Sequence, residues 1–539
     1  MKRKILLTGL IMSSSLLLTM CGTEDVKSKN QTYNNITLQD MNYNRIYSVD
    51  YQKDLLKQVE DFKKAEKYTL DNPLVIINPF ETNQTGIYVY FKTDKKTYAE
   101  YNIHVDSNED EEEIEDFSRV LYNGEKDNLT KEHEYTLIGG IAGKDNVITI
   151  KLYDENSNLY EEKTFAVKLP KLDLGSDYIL TKEAGTSTKE LSDGLFVTIG
   201  HINNKFGNSN TYIYDNNGVC RAQFNLDGYR VDNIHFKDNL MYIGSDTNKI
   251  AAVNRLGYVE RVYDFGNYEM HHDFILGSNN DILVLASNTE CDSVEDLVLS
   301  VNLKTGDVKE IIDSGNLLPA MKEKAVLTAD KSKSDWIHIN SIELENDNTI
   351  LLSSRELSTI ISVGDIYKNP AVNYLIGDEE IWKDTEYSDL VFNKVGDFES
   401  HGGQHSLNVA HDDSLKKGQY YLYFYNNNTG VSDHYPEYKW TQPESDNEED
   451  PSMYYKYLVD ENEKTYSLVN EIELPPSRYI SSVQEYKGHI ITDSGQSYVI
   501  CEFDENDELI TKYTVEEEMW GLYRTFKNDF NNFYFYDKQ

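Results

Sequence analysis

The chain has 539 residues, 93 of them acidic against 52 basic, for a formal charge of −41. Nucleic-acid binding needs a basic face, so this balance excludes nucleic-acid partners and instead fits a protein that stays soluble outside the cell. The same field repels an anionic substrate, so any such ligand would have to be attracted by a local cationic cluster.

The first 22 residues, MKRKILLTGLIMSSSLLLTMCG, have a basic start, a short apolar run and then a cysteine, which is the pattern of a secretory signal peptide. Leu18-Thr19-Met20-Cys21 is lipobox-like, although Met20 stands where a small residue is expected. The expectation is a lipid-modified Cys21 and an extracytoplasmic lipoprotein of the cell membrane, with simple secretion as the alternative. Residues 23–45 are polar and read as a flexible tether. The remaining cysteines, Cys220, Cys291 and Cys501, do not make a disulfide scaffold in a chain long enough to bury a core; one bridge or three free thiols stay open.

Between Val49 and Tyr68, Leu55, Leu56, Val59, Phe62 and Ala65 recur at helical spacing, and Pro73 follows. From Leu74 the period becomes two: PLVIINPF, TGIYVYFKT, AEYNIHV, EYTLIGGI, NVITIKLYD and EKTFAVKL are short runs separated by turn residues. Residues 46–170 therefore read as a helix followed by a small Ig-like β-sandwich. The acidic run Ser107–Phe117 reads as a solvated insert, and PKLDLGSD as a linker.

Residues 171–539 read as a series of hairpins with one weak helix candidate, Leu317–Ala325. With 41 tyrosines and many Asn, Asp and Gly, the composition suits strands and tight turns. Hairpin units begin near Leu195, Ile234, His271, His338, Gln404 and Tyr479. Six antiparallel units of roughly 60 residues predict an all-β chain, a six-bladed β-propeller behind the small N-terminal β-sandwich. A double sandwich or a right-handed solenoid is the alternative, though the units lack the short rungs of a solenoid.

Three histidines open successive units: His272, His338 and His405, spaced 66 and 67 residues apart. In a propeller, equal spacing brings them to one rim of the central channel. Arg355 ends the return strand of the His338 hairpin, so antiparallel pairing brings it back beside His338. The set has three readings. The alignment could be chance. Three imidazoles could hold zinc or copper, with Asp273 to compensate, but an arginine among the ligands opposes a cation. An anion site, with imidazoles and a guanidinium converging on sulfate or phosphate oxygens, meets the demand set by the net charge. No glycine-rich phosphate loop, catalytic triad order or CxPxR sulfatase motif is present.

The motifs HHDF with ILVLA, DWIHINS with TILLSSR, YLIGD and QHS, in this order and spacing, resemble the arylsulfate sulfotransferase (ASST) family. DWIHINSIELENDNTILLSSRELSTIISV, Asp335 to Val363, is the most specific of them. The resemblance implies a propeller enzyme that moves a sulfuryl group from a phenolic sulfate donor to a phenol acceptor. The route is ping-pong through a sulfated histidine, without the nucleotide sulfate donor, a metal or another cofactor. It places the nucleophile on His405, supporting histidines on His272 and His338, and the arginine on Arg355. His271 is the neighbouring substrate-binding candidate, and Ser481 or, as preferred, Ser482 a further hydroxyl contact. Two features depart from the family pattern. After QHS the family runs on to a strand ending near FDNG, where this chain reads YLYFYNNN. The acidic, proline-bearing insert from Ser432 to Met453 could cover the channel mouth. A non-catalytic propeller lipoprotein binding a glycan or a protein is the competing function, and oligomeric state is left open.

Overall fold

The computed structural model describes residues 43–106, 113–172, 179–203, 208–225, 233–327, 333–438, 450–515 and 521–537. The leader with Cys21, most of the tether, residues 107–112 of the acidic insert, most of the PKLDLGSD linker and residues 439–449 lie outside them. No helix among the described residues is long and apolar enough to cross a membrane.

The helix runs from Val49 to Ala65 and stops at Glu66, whose backbone is already extended, well before Pro73. Leu55 and Val59 are buried and Leu56 and Phe62 pack beside them, whereas Ala65 is exposed. Gln52 fastens this helix to the rest of the molecule. Its Nε2 donates to Ile46 O at 2.7 Å and Phe80 O at 3.0 Å, and its Oε1 accepts from Val259 N at 3.3 Å.

The period-two segments that follow form one antiparallel six-stranded array. Its axis is the 18-residue strand Ile87–His104. The first part of that strand pairs with Leu74–Ile77 and Thr130–Leu137; the second part pairs with Phe117–Val120 and Asp145–Tyr153. A register shift between Lys92 and Thr97 marks where it passes from one ladder to the other. Strand Asp145–Tyr153 alternates buried and open residues along its length, as a half-buried strand must. Its apolar face joins a core that continues into Leu195, Val197, Ile213 and Met241, so the front unit packs directly on the sheets that follow.

Six successive sheets of four or five strands make up the rest. In the second to sixth sheets one edge is formed by Ile234–Lys237, Tyr268–Leu276, Ile339–Asn346, His405–Ala410 and Ser482–Tyr486 respectively. Strand pairing is antiparallel except for the short strand Asn393–Lys394, which runs parallel to Thr465–Leu474. The hairpin turns use the expected chemistry: Asp238 and Asn239, and Lys487 and Gly488, both take the paired positive φ that a two-residue turn requires. In place of the single helix candidate stand two short ones, Ser314–Leu317 and Pro319–Lys324.

The first sheet departs from the sequence reading. Its LFVTIGH…NTYIYD hairpin forms the second and third strands, not the first two. The edge strand equivalent to those of the other sheets is Arg524–Asn528, from the C-terminal end of the chain. In return, Thr181–Ala184 adds a fifth strand to the sixth sheet. Local period carries no information about either pairing, because both join segments more than 300 residues apart.

Serines tie the last three junctions between edge strands, from the fourth sheet round to the first. Ser341 Oγ accepts from Leu407 N at 3.0 Å, Ser406 Oγ from Val483 N at 3.2 Å and Ser482 Oγ from Thr525 N at 2.9 Å. Strand Arg524–Asn528 is held further by two ion pairs, Arg524 Nη2 to Asp273 Oδ2 at 3.3 Å and the fully buried Lys527 Nζ to Glu502 Oε2 at 2.6 Å. Removing one partner of a buried pair leaves the other charge uncompensated. Lys527→Met is therefore expected to lower the unfolding free energy by about 3 kcal/mol. Lys527→Met combined with Glu502→Gln should recover part of that loss, both read from urea denaturation. A Lys527→Met protein as stable as the parent would show that the closing strand does not depend on this pair.

Candidate active site

The edge strands of the third, fourth and fifth sheets carry the three histidines at different places: His272 lies in the middle of Tyr268–Leu276 rather than opening it, His338 immediately precedes Ile339–Asn346, and His405 is the first residue of His405–Ala410. The backbone is irregular at each place. Register shifts fall between Met270 and Phe274, Ile339 and Ser341, and His405 and Asn408. Positive φ angles occur at His272 (58°), His338 (46°) and Ser406 (53°). Left-handed backbone at a non-glycine residue is uncommon, and its repetition here re-aims three side chains out of the ladder.

The imidazoles of His272 and His338 meet with ring centroids 4.8 Å apart, and His271 lies 5.2 Å from His272. Arg355 follows the return strand Thr349–Ser354, and its N–H donates to His338 O at 3.1 Å, which is the adjacency that antiparallel pairing requires. His405 feels the positive charges of His272, His338 and Arg355, so the four expected residues share one electrostatic neighbourhood.

Three carboxylates that the sequence reading did not assign stand among them. Glu295 Oε2 lies 2.9 Å from His272 Nε2 and 2.8 Å from His338 Nδ1. Asp335 Oδ2 lies 2.7 Å from His338 Nδ1 and 3.9 Å from Arg355 Nη2. Glu356 Oε1 accepts from Arg355 Nε at 3.2 Å and Nη2 at 2.5 Å. The cluster is thus not an unopposed patch of positive charge: each cation is held by an anion. Asp335 sits inside the DWIH motif and was open to notice. Glu295 lies in CDSVEDLVLS, a segment with no motif, and reaches the site only through the fold.

These contacts separate the histidines. Burial and Arg355 press the His338 pKa down, but Asp335 and Glu295 outweigh them, and it is raised to about 9. Burial pushes Glu295 up, yet His338 and His272 hold it well below the ordinary carboxylate value. His338 is therefore a cation at neutral pH, donating from Nδ1 to the two carboxylates. Its Nε2–H has no partner among the described residues. His272 has both nitrogens engaged, Nε2 with Glu295 and Nδ1 with the Tyr523 hydroxyl at 3.0 Å. Tyr523 precedes the closing strand and also stacks on the His272 ring at 5.7 Å.

His405 is the opposite case. Burial first, and then the charges of His272, His338 and Arg355, hold its pKa well below the usual value, against the opposing pull of Asn427. Its Nδ1 lies 2.7 Å from Asn427 Oδ1 and 3.0 Å from Gly403 O. Both neighbours are acceptors, so Nδ1 carries the proton and Nε2 carries the lone pair.

Two groups, His271–His272–Glu295 and Glu295–Asp335–His338, have atoms close enough to hold a cation. The second group's atoms are engaged with one another in imidazole–carboxylate hydrogen bonds, with the Arg355 guanidinium beside them. Next to Arg355 opens a cavity of about 680 Å³, lined by Arg355, Glu356, Thr429, Arg478, Tyr479 and Gln496 among others. That volume suits a small aromatic ester. Tyr479 is 47% exposed at its wall. The described part of the 432–453 insert packs against this region, where the Ser432 hydroxyl donates to Glu356 Oε2.

The Ser482 hydroxyl is engaged with the closing strand. It donates to Thr525 O at 3.0 Å and accepts from Thr525 N at 2.9 Å, so it latches that strand. Asp273 is likewise spent on Arg524, Asn233 and Ser341. His271 is buried beside His272, with 2% of its surface exposed. Cys220, Cys291 and Cys501 are all free thiols.

Several solved structures share a likeness at low similarity. One is a candidate 6-phosphogluconolactonase from Bacteroides fragilis, with a TM-score of 0.34 and 10% identity over 81% of this chain and 99% of that one. Another is BamB from Moraxella catarrhalis, with a TM-score of 0.28 and 11% identity over 62% of this chain and 91% of that one. A third is the WD40 domain of Toxoplasma gondii coronin, with a TM-score of 0.31 and 8% identity over 62% and 76%. No curated protein matches. The family model for arylsulfotransferase (ASST) matches residues 180–534, which take in all six sheets and every site residue named above, so the chain belongs to the arylsulfotransferase family and is a sulfotransferase enzyme.

Proposed function

We propose that the six sheets are the blades of one β-propeller behind an N-terminal β-sandwich, and that the propeller transfers a sulfuryl group from a phenolic sulfate to a phenol through a sulfated His405. The leader and Cys21 support a lipid-anchored protein outside the cytoplasm. The observation that carries the mechanism is the contrast between His405, neutral with its Nε2 lone pair presented, and His338, charged with its Nε2–H presented.

In the first half-reaction the Nε2 lone pair of His405 attacks sulfur, and the sulfur–oxygen bond to the aryl group breaks. The phenolate leaves with that electron pair and takes a proton from His338. In the second half-reaction a phenol acceptor gives its proton to the now neutral His338. Its oxygen attacks sulfur, the sulfur–nitrogen bond breaks, and the pair returns to His405. Arg355 lines the cavity with its Nε–Nη2 edge braced by Glu356, and its role in this route is to hold the sulfuryl oxygens. Fixed charge and positioning supply most of the rate in transfers of this kind. His272 is braced between Glu295 and Tyr523 and acts on the site as an oriented positive neighbour.

Protein mixed with an aryl sulfate alone should gain about 80 Da at His405, and a phenol acceptor should remove it. His405→Ala should abolish both the adduct and the release of coloured phenol. Protein that releases no phenol with or without acceptor would favour the binding-propeller reading. Rapid turnover with an unchanging intact mass, quenched at neutral to basic pH, would overturn the covalent route.

Because His338 is raised to about 9, kcat/KM should hold through neutral pH and fall as pH rises through about 9, where the donated proton is lost. Asp335→Asn removes one of the charges that raise it, so the alkaline limb should move to lower pH. An unmoved limb would take the proton donor elsewhere.

Arg355→Lys keeps the charge but loses the planar fork, and turnover should fall about a hundredfold with the fold intact. Near-normal turnover would leave Arg355 a structural partner of Glu356.

A further inference from the structure

We propose that Asn427 is the positioning residue of the nucleophile: its side-chain amide, clamped on the far side by two carbonyls, holds His405 as the Nδ1–H tautomer and aims Nε2 at sulfur. The inference rests on the sulfohistidine reading above and adds to it the group that sets the nucleophile's protonation state.

The amide orientation follows from the bonds themselves. Asn427 Nδ2 donates to Ser477 O at 2.8 Å and to Ile480 O at 3.0 Å. Both partners accept only, so the NH₂ group must point at them and Oδ1 must point at His405, which it meets at 2.7 Å. A flipped amide would set a carbonyl oxygen against two others and an NH₂ against the Nδ1–H. The proton on Nδ1 is thus demanded by Asn427 and by Gly403 O at 3.0 Å together. Asn427 is 2% exposed, so water does not compete for these bonds.

The clamp is itself built at a cost. Ile480 has φ 59° and Ser481 φ 86°. A β-branched residue in left-handed backbone is a genuine outlier, of the kind that persists only where surrounding contacts over-determine it. Ser481 N donates to Tyr523 O at 3.1 Å, and Ser481 Oγ donates to Ser477 Oγ at 2.8 Å. The strained turn therefore places the Ile480 carbonyl under Asn427 and ties it to the segment that carries Tyr523 to His272. The neighbouring asparagines do other work: Asn426 Oδ1 accepts from Gly402 N and Asn428 N, and Asn428 Nδ2 donates to Pro451 O. Of the three asparagines only Asn427 hydrogen-bonds the ring of the nucleophile. The charges that act most on His405 are those of His272, His338 and Arg355, all positive, so a negative charge placed at residue 427 would oppose them.

The test uses the full-length protein with ¹⁵N-labelled histidine, the His405 signals being assigned by their loss in His405→Ala. The parent should show a protonated Nδ1 and a lone-pair Nε2. Asn427→Ala should slow formation of the sulfated adduct about tenfold or more in a single turnover, the cost of one buried hydrogen bond, with KM nearly unchanged. Asn427→Asp should bring in an acid limb at higher pH than any the parent shows, because a carboxylate favours the imidazolium, and raising the pH should restore the rate. A parent His405 protonated on Nε2 would overturn the proposal. So would an Asn427→Ala protein with the parent adduct rate, or a folded Asn427→Asp protein with the parent pH profile. A parent that shows the expected tautomer but never gains the sulfuryl mass would sink the covalent mechanism and leave the positioning role standing.

Discussion

The strand Arg524–Asn528 closes the molecule. It completes the first sheet on Leu195–Asn203, and its Lys527 reaches back to Ser192, 335 residues earlier in the chain. Much of the site depends on this closure. Asp273, two residues from His271, is charge-paired to Arg524; Tyr523, the residue just before the strand, braces His272; and Tyr523 O holds the turn whose carbonyl clamps Asn427. The ion pairs and the Ser482 latch secure one strand, and that strand sets the geometry of two of the three histidines.

A chain of charge −41 that handles an anion faces an electrostatic conflict. Local excess of positive charge is not how this protein resolves it. Glu295, Asp335 and Glu356 accompany the cations at 2.5–2.9 Å. A carboxylate beside a buried imidazole keeps that imidazole charged, which an isolated buried histidine could not remain. The price is a weaker net field. The gain is that His338 stays protonated while His405, without a carboxylate, stays neutral. Two histidines of the same intrinsic acidity are thereby driven apart, which is what a pair acting as proton donor and nucleophile requires.

Backbone strain recurs wherever this division is made. His272, His338, Glu295, Ser406, Ile480 and Ser481 all have positive φ. Regular strands alternate their side chains across the sheet and would send these groups into the packing between sheets. At His272, His338 and Glu295 the irregular residue itself reaches the cluster, and at Ile480 its carbonyl clamps Asn427.

The sequence by itself determined the strands, the turns and the successive sheets on which the histidines fall. Period-two patterning, tight-turn residues and equal spacing are local or repeating properties, so the six hairpins, the Val49–Ala65 helix and the grouping of His272, His338, His405 and Arg355 were all legible. The QHS and DWIH motifs were legible for the same reason, since each is a run of adjacent residues. Only the tertiary structure decided what joins across distance. Arg524–Asn528 pairs with Leu195–Asn203, Ser482 latches Thr525, and Glu295, in a segment without a motif, bridges two histidines. Asn427 clamps a third, although the YNNN run had drawn notice only as a departure. Hydrogen bonds and buried ion pairs act over 3 Å between atoms that the sequence separates by tens or hundreds of residues. No local pattern records which donor meets which acceptor until the chain is closed.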